Sequence, residues 1–305
     1  MTAWLIAAEY SGLIVRMFQE TPPQPPPVLI ASVPAPPPRP LGWGKGLLLC
    51  LIFQSIAGTS FMVHSLAAHL DWKIDRTIAA LIDMICAWPL TLFLACVIAP
   101  VNWRNAFPFT RFSLSLLAPL VISGFGLSFL LVEVSGWIPT PAFIEEMFRE
   151  IMSGNPVAKL IALVVIAPIT EEMLFRGLIF REFARRYSMR HAIFGSAALF
   201  ALFHLNPWQA VVAFPVGVLA AWLVLRTGSI IPGIVLHAAL NFTSSFLLVP
   251  VGSLFGQDED KMYALPHLPW PMLAVGGVAT ILGLMGLWLC ACSRQTSATI
   301  DPPAT

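Results

Sequence analysis

Long apolar runs recur along the chain at 46–70, 77–101, 112–134, 158–180, 192–206, 208–225, 230–249 and 269–292. Each is continuous, without the period-two alternation of a lipid-facing strand, which favours helices over a barrel. A helical crossing takes about 20 largely apolar residues. The pattern therefore predicts an all-α polytopic membrane protein with about eight transmembrane helices. The fifth run is short and breaks at Asn206-Pro207, so the parity of the count rests on it. Ahead of these runs, Thr21 to Pro40 is dominated by proline and reads as an extended, polyproline-like linker. The chain thus divides into an N-terminal segment and linker (1–45), a transmembrane domain (46–292) and a polar tail (293–305). Met1 to Met17 holds Glu9 and lacks a basic n-region and a small-residue cleavage site, so no secretory signal peptide is expected there.

Composition agrees with the pattern. Apolar residues make up 57% and charged residues 11% of the chain, with a mean hydropathy of +0.80, far from the soluble average of about 25% charge. Eight crossings collect Arg16, Arg39, Lys45, Arg104, Arg111, Arg181, Arg185, Arg186, Arg190, Arg226 and Arg294 on one side. The other side keeps Lys73, Arg76, Arg149, Lys159 and Lys261, so both termini are expected in the cytosol and the protein in the cytoplasmic (inner) membrane. Glu145, Glu146, Glu150, Asp258, Glu259 and Asp260 fall on the opposite loops and read as a solvated face. The basic stretch Arg181 to His191 reads first as a topology determinant, with steering of an acidic segment or anionic headgroups as the alternative. A net charge of +1 and the lack of a basic groove with interleaved aromatics exclude nucleic acid as a partner. The five cysteines, Cys50, Cys86, Cys96, Cys290 and Cys292, lie inside apolar runs and read as packing thiols rather than a disulfide framework or zinc knuckle.

Ionisable side chains in a bilayer are costly unless paired or hydrated, and mark functional sites. The fourth run holds Glu171, Glu172 and Arg176. On a helix Arg176 follows Glu172 by four residues on the same face, in the favourable acid-before-base order, while Glu171 is rotated about 100° away. Arg176 is expected to neutralise Glu172 and leave Glu171 for chemistry; the pair by itself also fits a purely structural role. The fifth run ends Phe200-Ala-Leu-Phe-His204, and the seventh carries His237-Ala-Ala-Leu-Asn241, whose spacing stacks the two polar groups on one face. At about 1.5 Å rise per residue, Glu171, His204, His237 and Asn241 fall about 14, 18, 10 and 16 Å from the cytosolic end of their spans. Three helices thus bring polar groups to one level, whereas His64 and Asp83 read as packing residues.

A carboxylate and an imidazole converging on a water can deprotonate it. A second imidazole with an amide can donate to the oxygen that becomes negative when a carbonyl is attacked. There is no GxSxG, no HExxH and no pair of intramembrane aspartates, so serine, zincin and presenilin-like mechanisms lack their signatures. A Glu/His/His set with one zinc ion stays open as an alternative mechanism.

At these residues the chain resembles the CPBP family, which comprises type II CAAX prenyl endopeptidases and bacteriocin-processing (Abi) membrane proteins. The family motifs EExxxR, FxxxH and HxxxN/D read here as Glu171-Glu172-Met-Leu-Phe-Arg176, Phe200-Ala-Leu-Phe-His204 and His237-Ala-Ala-Leu-Asn241, in order, within about 155–250. The resemblance implies a glutamate-type intramembrane endopeptidase without a resident cofactor. It assigns Glu171 as base, His204 as the residue holding the water, His237 and Asn241 as the oxyanion hole, and Glu172 with Arg176 as support. The implied substrate is a membrane-embedded or lipid-anchored protein. A non-catalytic bacteriocin-immunity or scaffold protein and a transporter are the competing readings. An imperfect echo at Glu145-Glu146-Met-Phe-Arg149, with the arginine one position early, reads as an amphipathic or loop segment.

Overall fold

The computed structural model describes residues 42–55, 76–98, 107–256 and 267–297. The proline-rich linker, His64 and the last residues of the tail lie outside them. Every regular element among the described residues is helical. In chain order these are α1 (43–55), α2 (Arg76–Ile98), α3 (Leu114–Gly136), α4 (Ala142–Ser153), α5 (156–186), α6 (Met189–Phe203), α7 (Pro207–Thr227), α8 (Ile231–Leu254) and α9 (Trp270–Ser297).

Among the described residues four helices are long and apolar enough to cross a membrane: α3, α7, α8 and α9 through Cys290. They coincide with the third, sixth, seventh and eighth expected spans. Met189–Phe203 and Ala87–Ile98 are shorter apolar helices, and the first expected span continues beyond the described residues. The echo segment is α4, helical from Ala142 just after Pro141, with an Arg149–Glu146 ion pair at 3.0 Å on its outer face.

Without a hydrophobic driving force between helices in lipid, close approach depends on small residues. The seam between α3 and α9 follows that rule. A Cβ at Gly126 would lie 2.6 Å from Gly276 O, and one at Gly276 would lie 2.6 Å from Phe129 Cβ. Where α3 meets α8 the same device recurs, since a Cβ at Gly124 of α3 would meet Leu236 O of α8 at 2.8 Å. Between α1, α2, α5 and α6 the filler is aromatic, with Phe53, Trp88, Phe175, Phe200 and Phe203 in mutual ring contact.

The α6–α7 hairpin turns at His204–Asn206. Leu205 takes φ 53°, and Asn206 caps α7 by accepting from Gln209 N at 2.8 Å while its Nδ2 donates to His204 O at 2.9 Å. At its other end α7 stops on Gly228, whose φ of 67° suits a residue without Cβ. Ser229 Oγ donates to Thr110 O at 2.8 Å and Ile230 N to Pro108 O at 3.1 Å, tying the α7–α8 turn to the strap before α3.

α5 is not the regular helix that its sequence suggests. It is capped by Asn155, which accepts from Val157 N and Ala158 N at 3.0 Å, and then alternates between two hydrogen-bond registers. Wide π stretches at Leu160–Ile166 and Met173–Phe180 flank an α turn at Ala167–Glu172 that carries both glutamates. Such distortions gather at functional sites. Pro168 is part of the cause. Ala167 N donates to Ala162 O, five residues back, and Pro168 has no N–H with which to serve Leu163 O. That carbonyl accepts instead from Asn241 Nδ2 of α8 at 2.8 Å.

Candidate active site

The α turn between the π stretches turns Glu172 into the bundle, where it and Arg176 are fully buried. Arg176 Nη1 donates to Glu172 Oε1 at 2.9 Å, the pairing that the four-residue spacing anticipates. The guanidinium carbon lies 4.4 Å from the centre of the Phe200 ring, adding a cation–π contact. Two glycines make room for the pair. A Cβ at Gly217 of α7 would lie 3.0 Å from Arg176 Nη2, and one at Gly233 of α8 would lie 2.9 Å from Glu172 Oε2. Sequence reasoning missed both, because a glycine required by a neighbouring helix leaves no mark on its own helix.

Glu171 differs from Glu172. Its side chain keeps 11% of its surface open while that of Glu172 keeps none, so only Glu171 can meet a reactant without dismantling an ion pair. The imidazole nearest to it belongs to α8: His237 Nε2 is 3.8 Å from Glu171 Oε2, and His237 Nδ1 is 3.4 Å from Glu172 Oε1. His237 thus stands between the two carboxylates. Among the described residues Glu171 Oε2, Glu172 Oε2 and His237 Nδ1 find no hydrogen-bond partner, and such a concentration of buried polar atoms without hydrogen bonds is itself a mark of a functional site.

His204 sits at the C-cap of α6, one residue past the helix. Its Nδ1 is 2.9 Å from Phe200 O, and because a carbonyl only accepts, that nitrogen carries the proton and Nε2 of the neutral ring is an acceptor. His204, His237 and Asn241 line one cavity of about 190 Å³, together with Ser128 of α3 and Trp208 and Gln209 of α7. Glu171 adjoins this group through His237, whose Nε2 is 3.8 Å from its Oε2. Asn241 commits one amide N–H to Leu163 O, which leaves the other for a ligand. The structure therefore gathers His204, His237 and Asn241 around one space and joins Glu171, Glu172 and Arg176 to it through His237.

Among the described residues no three His, Cys, Asp or Glu side chains are grouped closely enough to hold a metal ion. Of the cysteines with described side chains, Cys50 is buried, Cys96 and Cys290 are partly buried, and all three are free thiols.

Residues 153–243 match the profile of a family described as type II CAAX prenyl endopeptidase Rce1-like. No curated protein and no solved structure matches the chain. The matched stretch begins at the end of α4 and ends two residues past Asn241, so it contains Glu171, Glu172, Arg176, His204, His237 and Asn241. Over that stretch, which carries all three motifs in order, the chain is similar to type II CAAX prenyl endopeptidases of the Rce1-like family.

Proposed function

We propose that this protein is an intramembrane endopeptidase that hydrolyses a peptide bond of a membrane-embedded or lipid-anchored protein. The observation that carries the proposal is the convergence of His204, His237 and Asn241 on one cavity, with the Glu171 carboxylate 3.8 Å from His237.

In the mechanism, a water held by His204 Nε2 gives its proton to Glu171 as its oxygen attacks the carbonyl carbon of the substrate. The negative oxygen that forms accepts hydrogen bonds from His237 and from the free N–H of Asn241. Glu171 then passes its proton to the departing amine, the C–N bond breaks, and a carboxylate and an amine leave. Glu172 and Arg176 neutralise each other beneath His237, so Glu171 is the one carboxylate here without a partner of fixed charge.

The test is cleavage of a membrane-anchored precursor by the purified protein in liposomes. Candidate precursors come from membrane and secreted proteomes, as those that accumulate with Glu171→Gln and not with wild type. Wild type should cut, and Glu171→Gln and His204→Ala should both be inactive yet folded. Retained cleavage by Glu171→Gln would remove Glu171 as the base. Loss of activity with a chelator, restored by zinc, would replace this mechanism with the metal one. A folded wild type that cuts no precursor while Glu171→Ala alters solute flux or partner binding would favour the transporter or scaffold reading.

A further inference from the structure

The turn between α6 and α7 is held more firmly than its length requires. Asn206 Oδ1 accepts from Gln209 N at 2.8 Å, while Asn206 Nδ2 donates both to His204 O at 2.9 Å and to Gln209 Oε1. Between His204 and Asn206 stands Leu205, the one non-glycine residue with a positive φ among the described residues. A residue with a Cβ is strained there, and such strain persists where the surrounding bonds over-determine the geometry, commonly beside a working site. The proposed catalytic steps use neither Asn206 nor Gln209. Yet Gln209 lines the same cavity as His204, His237 and Asn241.

The turn also decides which way the Gln209 amide faces. Gln209 N only donates, so the Asn206 atom that meets it is Oδ1, and His204 O only accepts, so the Asn206 atom that meets it is Nδ2. The Gln209 atom that meets Nδ2 must then be an acceptor, which is Oε1. Nε2, with two N–H groups, is the end that remains, and it has no acceptor among the described residues. Turning the amide over would set N–H against N–H, so the donor end is fixed in place.

Most other polar groups on the cavity wall are already committed. Trp208 Nε1 donates to Ile138 O at 3.1 Å, Ser135 Oγ to Trp208 O at 3.0 Å and Ser244 Oγ to Asn241 O at 3.2 Å. Ser128 is buried, whereas Gln209 is exposed and within reach of a long ligand. Much of the remaining wall is apolar, with Val132, Val212 and Leu240 on it. A polypeptide entering such a space brings a carbonyl with every residue, and each carbonyl that loses its water without gaining a donor opposes binding. A carboxamide N–H answers a main-chain carbonyl whatever side chain accompanies it.

We infer that Gln209 holds the substrate by donating from Nε2 to a main-chain carbonyl oxygen next to the bond that is cut, and that Asn206 is the positioning residue that presents it. The inference rests on the protease reading and deepens it: at this point the main chain is recognised, not a side chain. One amide, Asn206 Nδ2, bridges His204 O and Gln209 Oε1. The imidazole that holds the water and the group that holds the polypeptide are thus set by the same two hydrogen bonds.

Initial rates on a membrane-anchored precursor cut by wild type, measured across its concentration in liposomes, test the assignment. A hold on a carbonyl that does not react is made equally before and during the reaction, so its loss raises KM and leaves kcat unchanged. Gln209→Ala should raise KM about 3- to 10-fold, the worth of one hydrogen bond. Gln209→Glu is the decisive variant. It keeps an acceptor for Asn206 Nδ2 but sets an oxygen in place of the donor, so its KM should rise at least as far, with the thermal transition in detergent unchanged. A wild-type KM in Gln209→Glu, or a loss of kcat in Gln209→Ala that Gln209→Glu restores, would reduce Gln209 to a prop for the turn and overturn the inference. Asn206→Asp keeps the cap on Gln209 N and draws the Gln209 donor toward itself. Its effect on KM should therefore disappear in the Gln209→Ala background, and additive effects would remove Asn206 as the positioning residue. If wild type cuts no precursor, the protease reading fails and this assignment falls with it; if wild type cuts and the Gln209 variants match its KM, this assignment alone falls.

Discussion

α3 meets the rest of the bundle in two ways, on two faces. Toward α9 its small residues, Ser123 and Gly126, press against Gly276, Thr280 and Gly283 until backbone touches backbone. Toward α8 its Gly124 is seated as closely, since a Cβ there would meet Leu236 O at 2.8 Å, but farther along the helix Ser128 and Ser135 border open volume. Residues of similar size thus seal one stretch of α3 and leave another open. What differs is the partner. α9 offers glycines that admit a second backbone, whereas α6 and α8 offer His204, His237 and Asn241, whose polar groups require room and hydration. The seam is closed by contact and the chamber is left open, and perturbations of the two should separate accordingly.

The largest effect is expected in the chamber. Glu171→Gln should lower turnover by about 10²–10⁴-fold, the range of a lost general base, with the thermal transition in detergent unchanged. Just beneath, Arg176→Ala strands Glu172 as a buried unpaired charge, and should cost about 3–5 kcal/mol in a denaturation assay as well as activity. That outcome would show that the chamber stands on its ion pair.

The seam should respond next, in stability. Gly126→Ala introduces a methyl group against Gly276 O, and about 1–3 kcal/mol of overpacking is expected. A loss as large as that of Arg176→Ala would contradict the division drawn here. A smaller coupling sharpens it. Asn241→Ala should destabilise less in a Pro168→Ala background, where the restored N–H can serve Leu163 O, and the double-mutant cycle should show about 0.5–1.5 kcal/mol of coupling. Last, Ser128 Oγ on the cavity wall has no hydrogen-bond partner among the described residues, so Ser128→Ala should leave stability within about 0.5 kcal/mol of wild type.

Much of the architecture could be read in advance. The expected spans at 112–134, 208–225, 230–249 and 269–292 fall within a few residues of the helices Leu114–Gly136, Pro207–Thr227, Ile231–Leu254 and Trp270–Cys290. Long unbroken apolar runs leave the backbone no alternative in lipid, so their limits are set locally. The Glu172–Arg176 pair could be read for the same reason, being decided by spacing along one helix. The π stretches of α5 could not. They depend on a balance between registers in which Pro168 removes one donor and Asn241, 78 residues away, supplies another. Nor could the pairing of Glu171 with His237, since sequence places both imidazoles at a similar depth and says nothing of which one the rotation of α5 brings nearer.

The sequence by itself determined that the chain is helical and membrane-spanning, which polar residues stand inside it, and which of them share a helix face. Those properties follow from periodicity and desolvation cost, both fixed by residues a few positions apart. Tertiary structure alone decided that Gly217 and Gly233 admit the buried ion pair, that His237 stands between the glutamates, and that His204, His237 and Asn241 share one cavity. Each of these depends on how one helix is rotated and seated against another, a relation set by packing between residues far apart in the chain.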